Sequence, residues 1–274
     1  MKKYTLCFIV FIWLPVGIGL AQNQINSKQK KMIIDSISNQ LKENYVFPNV
    51  ANEMVSKLLY DYRKGVYKTI SDPHEWANKL TENLQTISND KHLRVSFNPS
   101  IASELSEEFT RKDSLNFINT QKSKMKRENF GFHNLKILPG NIGYLDLREF
   151  VPTEFGGETA VSAMNFLSNT VAIIIDLRHN GGGSPGMIQL ISSYLFTAEP
   201  VHLNDFYWRP TNTNTQSWTL PHVSGKRNPN ALVYILTSKS TFSAAEEFSY
   251  NLKHLNRATI IGEVTGGGAH PGGL

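Results

Sequence analysis

The sequence predicts an α/β protein, a sheet with crossover helices preceded by a small helical unit. Three observations carry this reading. Between residues 28 and 95, apolar residues recur every four positions. From about residue 137, short apolar runs alternate with amphipathic segments. Glycine- and serine-rich loops follow those runs, where ligands gather in sheets of this kind.

The first 21 residues are a separate material. Lys2 and Lys3 precede the apolar run TLCFIVFIWLPVGIGLA, which ends in small residues at Gly19 and Ala21. This reads as a secretory signal peptide cut after Ala21, giving a mature chain that begins at Gln22 and lies in the periplasm or outside the cell. Pro15 and the small-x-small ending favour cleavage over a retained membrane anchor, so no stable anchor is expected. The single cysteine, Cys7, leaves with this segment, which excludes disulfides, a cysteine nucleophile and a thiolate metal site. Removing two lysines lowers the formal charge from +5 (28 basic, 23 acidic) to +3, a balance that does not argue for nucleic acid.

Residues 22–96 form the helical unit. Ile33, Ile37, Leu41 and Tyr45 make one stripe, and Val50, Met54, Leu58 and Tyr62 a second after Pro48. A third carries Trp76, Leu80, Leu84 and Ile87, with Asp72, Pro73 and Glu75 as its start signal. Helices this short must bury their stripes to persist. Residues 97–136 are polar, with clusters such as RKD and KMKRE, and read as a linker or arm.

The α/β region is expected over residues 137–274. NIGYLDLREF, VAIIIDLR, ALVYILT and ATIIGE read as strands, and VAIIIDLR, nearly all apolar, suits a strand covered on both faces. ETAVSAMNFLSN, PGMIQLISSYLF and SAAEEFSYNLKHL read as helices between them. Residues 200–224 suggest a hairpin or cover. Three loops follow strands: DLRHNGGGSPG (176–186), TSKSTFS (237–243) and GEVTGGGAHPGG (262–273).

The glycines at 181–183 let backbone N–H groups share one target, but the run matches neither a phosphate loop nor a dinucleotide fingerprint. An oxyanion site or a tight turn remains. Ser243 opens a helix, where a hydroxyl is either an ordinary N-cap or a nucleophile beside the N–H of Ala244. Thr237, Ser238, Ser240 and Thr241 are alternative hydroxyls. A serine nucleophile needs a base, and His92, in NDKHLRVSF, and His270, in the last glycine loop, are the candidates, with His179 beside the glycine run as a third. No HExxH or other tight ligand spacing occurs, so no metal or cofactor is expected.

Taken together and in order, DLRHNGGGSPG, TSKSTFSAAEEF and IIGEVTGGGAHPGG resemble the S41 serine peptidases, the tail-specific or carboxyl-terminal processing proteases. ENYVFPNVANEM and ISNDKHLRVSF resemble the helical region of the branch similar to interphotoreceptor retinoid-binding protein repeats and the tricorn core protease. The resemblance implies a crotonase-like α/β domain after a small helical domain, with no PDZ module between residues 96 and 137. It implies Ser243 as nucleophile, the N–H groups of Gly182 and Ala244 as oxyanion donors, and a polypeptide substrate. The serine–lysine branch carries its lysine at the position that is Gly268 here, so that dyad is absent. The tricorn-like branch takes a histidine from the helical region, which His92 matches, although Lys91 stands where that branch has a serine. That branch also uses a glutamate beyond the last glycine loop, and the chain stops at Leu274, so a C-terminal truncation is expected. Asp176 and Arg178 are expected to pair and position the glycine loop, with Asn180 bracing it. A binding module for apolar ligands or peptides on the same fold is the alternative to an enzyme.

Overall fold

The computed structural model describes residues 24–99 and 111–270. Residues 1–23, which include the signal segment, residues 100–110 of the polar stretch and the sequence from Pro271 onward lie outside the described residues. No described helix is long and apolar enough to cross a membrane. The chain divides into two compact units. One holds the N-terminal helices together with residues 208–213, and the other holds the sheet.

In the helical unit, α1 (Ser27–Asn44), α2 (Pro48–Arg63) and α3 (Pro73–Ser88) arise where the apolar stripes predict them. Asn26 caps α1 through a reciprocal pair with Gln29, and Asp72 caps α3 by accepting from the Glu75 N–H at 2.7 Å. Ile34, Met54, Leu58 and Leu80 are fully buried, so the three stripes close on one another. Lys30 is buried too, and its ammonium donates to the carbonyls of Tyr67 (2.7 Å) and Ile70 (2.5 Å). Within this unit Arg209 donates to the carbonyls of Tyr45 (2.6 Å) and Lys42 (2.7 Å). After α3, Asn89 turns the chain in the left-handed region, and residues 93–98 form no strand.

The polar stretch is more structured than its composition suggests. Residues Arg111–Arg127 form α4, and Phe132–Leu138 form β1, so the α/β unit starts ahead of residue 137. β1 is an edge strand, with His133, Asn134, Lys136 and Ile137 exposed. That exposure explains why it lacks a hydrophobic signature.

The sheet continues through β2 (Ile142–Leu147), β3 (Ala172–Asp176), β6 (Leu232–Thr237) and β7 (Thr259–Gly262), in the order β1-β2-β3-β6-β7. β1 runs antiparallel to β2, and the other pairings are parallel. α5 (Thr153–Phe166), α6 (Pro185–Leu195) and α7 (Ala244–His254) are the helices between strands. Leu145, Ile175, Ile235 and Ile260 stand in one row across the sheet, and the first three are fully buried. β4 (His202–Trp208) and β5 (Thr213–Trp218) pair as the separate hairpin expected in 200–224. Because β2, β3, β6 and β7 are parallel, the loops after β3, β6 and β7 leave from the same edge of the sheet.

Candidate active site

The turn between β6 and α7 answers the question of which hydroxyl is exceptional. Ser243 has φ 56° and ψ −121°, a conformation that L side chains rarely adopt, and its side chain makes no cap hydrogen bond to α7. An N-cap normally sits in extended backbone and accepts from the first turn, so this serine is not an ordinary cap. Its backbone N–H donates to the Gly267 carbonyl at 2.9 Å, which ties the strained turn to the loop after β7. A second tie joins the same two segments, from the Gly266 N–H to the Thr241 carbonyl at 2.7 Å.

Three of the four rival hydroxyls have structural partners. Thr241, fully buried, donates through Oγ1 to the Leu177 carbonyl (2.8 Å) and accepts from the Ser238 N–H (3.0 Å). Ser238 Oγ donates to the Arg178 carbonyl at 2.6 Å, and Thr237 Oγ1 to the Glu263 carbonyl at 2.9 Å. These bonds join the ends of β3, β6 and β7 and hold the turn from beneath. The role of Thr241 went unread in the sequence, although a hydroxyl residue two positions before the exceptional serine was visible there.

The glycine loop lies directly against this turn. A Cβ on Gly182 would fall 2.7 Å from the Ser243 Cβ and 3.0 Å from the Ala244 nitrogen, and its φ of +119° is unsuited to a side chain. Asn180, fully buried, braces the loop as expected. Its Nδ2 donates to the Leu147 carbonyl (2.9 Å), its Oδ1 accepts from the Gly182 N–H (2.8 Å), and its own carbonyl accepts from the Phe242 N–H (3.1 Å). This differs from the expectation for Gly182. Its N–H is committed to Asn180, so what Gly182 provides is space for Ser243. The N–H groups of Gly183 and Ala244 make no hydrogen bond among the described residues. Gly183 reaches that position because its backbone passes so close to Phe150 that a Cβ would meet the Phe150 carbonyl oxygen.

Asp176 and Arg178 pair at the end of β3, with Nη2 to Oδ2 at 2.6 Å and Nε to Oδ1 at 2.9 Å. The Tyr144 hydroxyl adds a bond to Asp176 at 2.8 Å. Burial alone would raise the Asp176 pKa. The hydrogen bonds from the Arg178 guanidinium, the Tyr144 hydroxyl and the Arg178 N–H outweigh it and bring the group down to about 2. In α7, Glu247 is buried and accepts from Asn204 of β4 at 2.9 Å, and burial raises its pKa. Its neighbour Glu246 buries Oε2 without a hydrogen-bond partner among the described residues.

In the helical unit, His92 follows α3 and is partly buried. Its Nδ1 lies 2.8 Å from Asp90 Oδ1, and its backbone N–H donates to the same oxygen at 2.9 Å. Asp90 was missed in the sequence, where the signal was an acid two residues before the candidate base. His270 is half-buried just past the Gly266–Gly268 segment, and His179 is exposed beside the glycine loop.

Comparisons with known proteins fit this arrangement. The model for peptidase family S41 matches residues 141–270, and the model for the N-terminal domain of that family in eukaryotic IRBP matches residues 24–129. A protein assigned to the S41 proteases from Bacteroides fragilis NCTC 9343 is 27% identical over 50% of this chain and 39% of its own, with a TM-score of 0.44. The photosystem II D1 C-terminal processing protease is 24% identical over 47% of this chain and 33% of its own, with a TM-score of 0.37. A protein assigned as a peptidase from Parabacteroides merdae ATCC 43184 is 18% identical over 88% of this chain and 76% of its own, with a TM-score of 0.53, a likeness of fold. The chain thus spans well under half the length of the first two. The two family models together cover both the helical unit and the sheet unit, and the chain belongs to peptidase family S41.

Proposed function

We propose that this protein is an exported serine peptidase that hydrolyses peptide bonds, with Ser243 as nucleophile and His92 as general base. The observation that carries the reading is the strained backbone of Ser243, held at a helix start by the Gly267 carbonyl and given room by Gly182. Strain of this kind is kept where a side chain must be presented rather than packed.

In the reaction, Ser243 Oγ attacks the scissile carbonyl while its proton passes to His92. Negative charge on the former carbonyl oxygen is met by the N–H groups of Ala244 and Gly183. They take the place first expected for Ala244 and Gly182, because the Gly182 N–H already serves Asn180. The imidazolium then protonates the leaving amine, and water, activated by the same base, cleaves the acyl-enzyme.

A fluorophosphonate probe on the full chain, with a peptide substrate in parallel, tests the reading. Labelling is expected in the parent protein and lost in Ser243→Ala, and His92→Ala is expected to lower kcat/KM by about 10²–10⁴-fold. Unchanged labelling in Ser243→Ala excludes that nucleophile. If His270→Ala is the more damaging of the two histidine changes, with both variants folded, the base is His270. An apolar ligand bound without any labelling favours the binding module.

A further inference from the structure

We infer that Asp90 is the acid that orients His92 and fixes its tautomer, a positioning residue for the reaction proposed above, on which this inference rests. Asp90 is 4% exposed, so its carboxylate sits out of bulk water and needs partners. Its Oδ1 takes the His92 imidazole at Nδ1 (2.8 Å) and the His92 backbone N–H (2.9 Å). Its Oδ2 accepts from the Tyr45 hydroxyl at 3.2 Å. The Asp90 N–H in turn donates to Ser88 Oγ at 3.1 Å, anchoring the residue to the end of α3.

Each partner constrains the next. Tyr45 is buried, and its backbone carbonyl is held by Arg209, so the hydroxyl has a fixed seat. Burial first, then the charge of Asp90, raises the Tyr45 pKa, which keeps the phenol protonated and a donor to Oδ2. The carboxylate plane is thereby set from one side, and the imidazole is set from the other. A carboxylate accepts and does not donate, so Nδ1 must carry a proton. The neutral ring then has its lone pair on Nε2, the nitrogen that can take the serine proton. When Nε2 is protonated, the imidazolium faces a carboxylate that is already in place. The proton moves from Ser243 Oγ to Nε2 and on to the leaving amine, and never onto Asp90.

The bland alternative is a turn: an Asp side chain accepting a backbone N–H two residues on is a common local motif. That motif accounts for the 2.9 Å bond to the backbone and not for the 2.8 Å bond to the ring.

Two measurements separate the readings. Nitrogen-15 NMR of the neutral ring in the full chain is expected to show the proton on Nδ1 and none on Nε2. The opposite tautomer overturns the inference whatever the variants do. Asp90→Asn keeps the size and the turn, and is expected to lower kcat/KM by about 10²–10⁴-fold, mainly in kcat, with fluorophosphonate labelling slowed in step. Asp90→Glu, which keeps the charge, should recover part of the loss. Asp90→Asn within about twofold of the parent, alongside a collapse in His92→Ala, overturns the role of Asp90 and leaves the base in place. No loss in His92→Ala removes the base itself, and with it the reading on which this inference stands.

Discussion

Ser243 and His92 are held by opposite means. Ser243 is held through its backbone: a positive φ, an N–H taken by Gly267, and a glycine pressed against its Cβ. His92 is held through its side chain, by one buried carboxylate two residues away. The first arrangement draws on the ends of three strands and cannot be made locally. The second is built around a carboxylate two residues from the ring, with Tyr45 and the end of α3 behind it. A nucleophile must be presented where a helix start can receive charge, so its position matters most. A base must offer the right nitrogen, so its orientation matters most.

The largest effect that would sharpen this contrast is expected at Ser243. Ser243→Ala should lower kcat by about 10⁴–10⁶-fold while leaving the strain in place. Ser243→Gly should be equally inactive yet more stable by about 1 kcal/mol, because glycine tolerates φ 56° and ψ −121°. Thermal unfolding of the two variants side by side reads the difference. A Ser243→Gly variant no more stable than Ser243→Ala would break the claim that the serine is held by strain.

Next comes Gly182→Ala. Its methyl group would meet Ser243 Cβ at 2.7 Å in a backbone conformation alanine resists, so the turn or the loop must shift. Probe labelling is expected to fall by about 10²-fold or more, since small displacements at a reacting centre are costly. Near-parental labelling would mean that the loop does not set the position of Ser243.

Thr241→Val removes the buried hydroxyl that bonds Leu177 and Ser238. A loss of about 1–3 kcal/mol in denaturant unfolding is expected, with Thr241→Ser recovering most of it. The smallest effect concerns Asp176. Its folded pKa, about 2, lies below the ordinary 3.8, so the native state binds fewer protons than the unfolded chain in that window. The stabilising contribution is therefore present above pH 3.8 and is lost as pH falls toward about 2. Asp176→Asn should flatten that part of the stability–pH curve. A variant with the parental slope would assign the acid sensitivity elsewhere.

How much could be read beforehand follows the same division. The helices of the first unit, the buried strands and the three loops were legible because each has its own period or punctuation. The place of Ser243 at a strand-to-helix junction between glycine-rich loops was legible, but its φ was not, since nothing local to TFSAA demands it. The turn's tie to Gly267 is supplied by a different strand end. β1 is hidden in the polar stretch because an edge strand with exposed Asn134 and Lys136 has no apolar alternation to show. The commitment of the Gly182 N–H depends on the side-chain position of Asn180, which spacing alone does not fix. Asp90 stands in NDKH without a signal of its own, because an acid two residues before a histidine reads equally well as an ordinary turn residue.

The hydrogen bond from Ser243 to Gly267 also orders events in time. During synthesis, Ser243 is added 24 residues before Gly267 (267 − 243). At about 5–20 residues per second the interval is about one to five seconds. Throughout it the turn around Ser243 lacks the carbonyl that pins it, so a half-made chain carries the serine without its pinned geometry. Chains stalled on the ribosome before Gly266 are expected to react with a fluorophosphonate no faster than free serine does, and rapid labelling of such chains would show that the turn assembles without its tie.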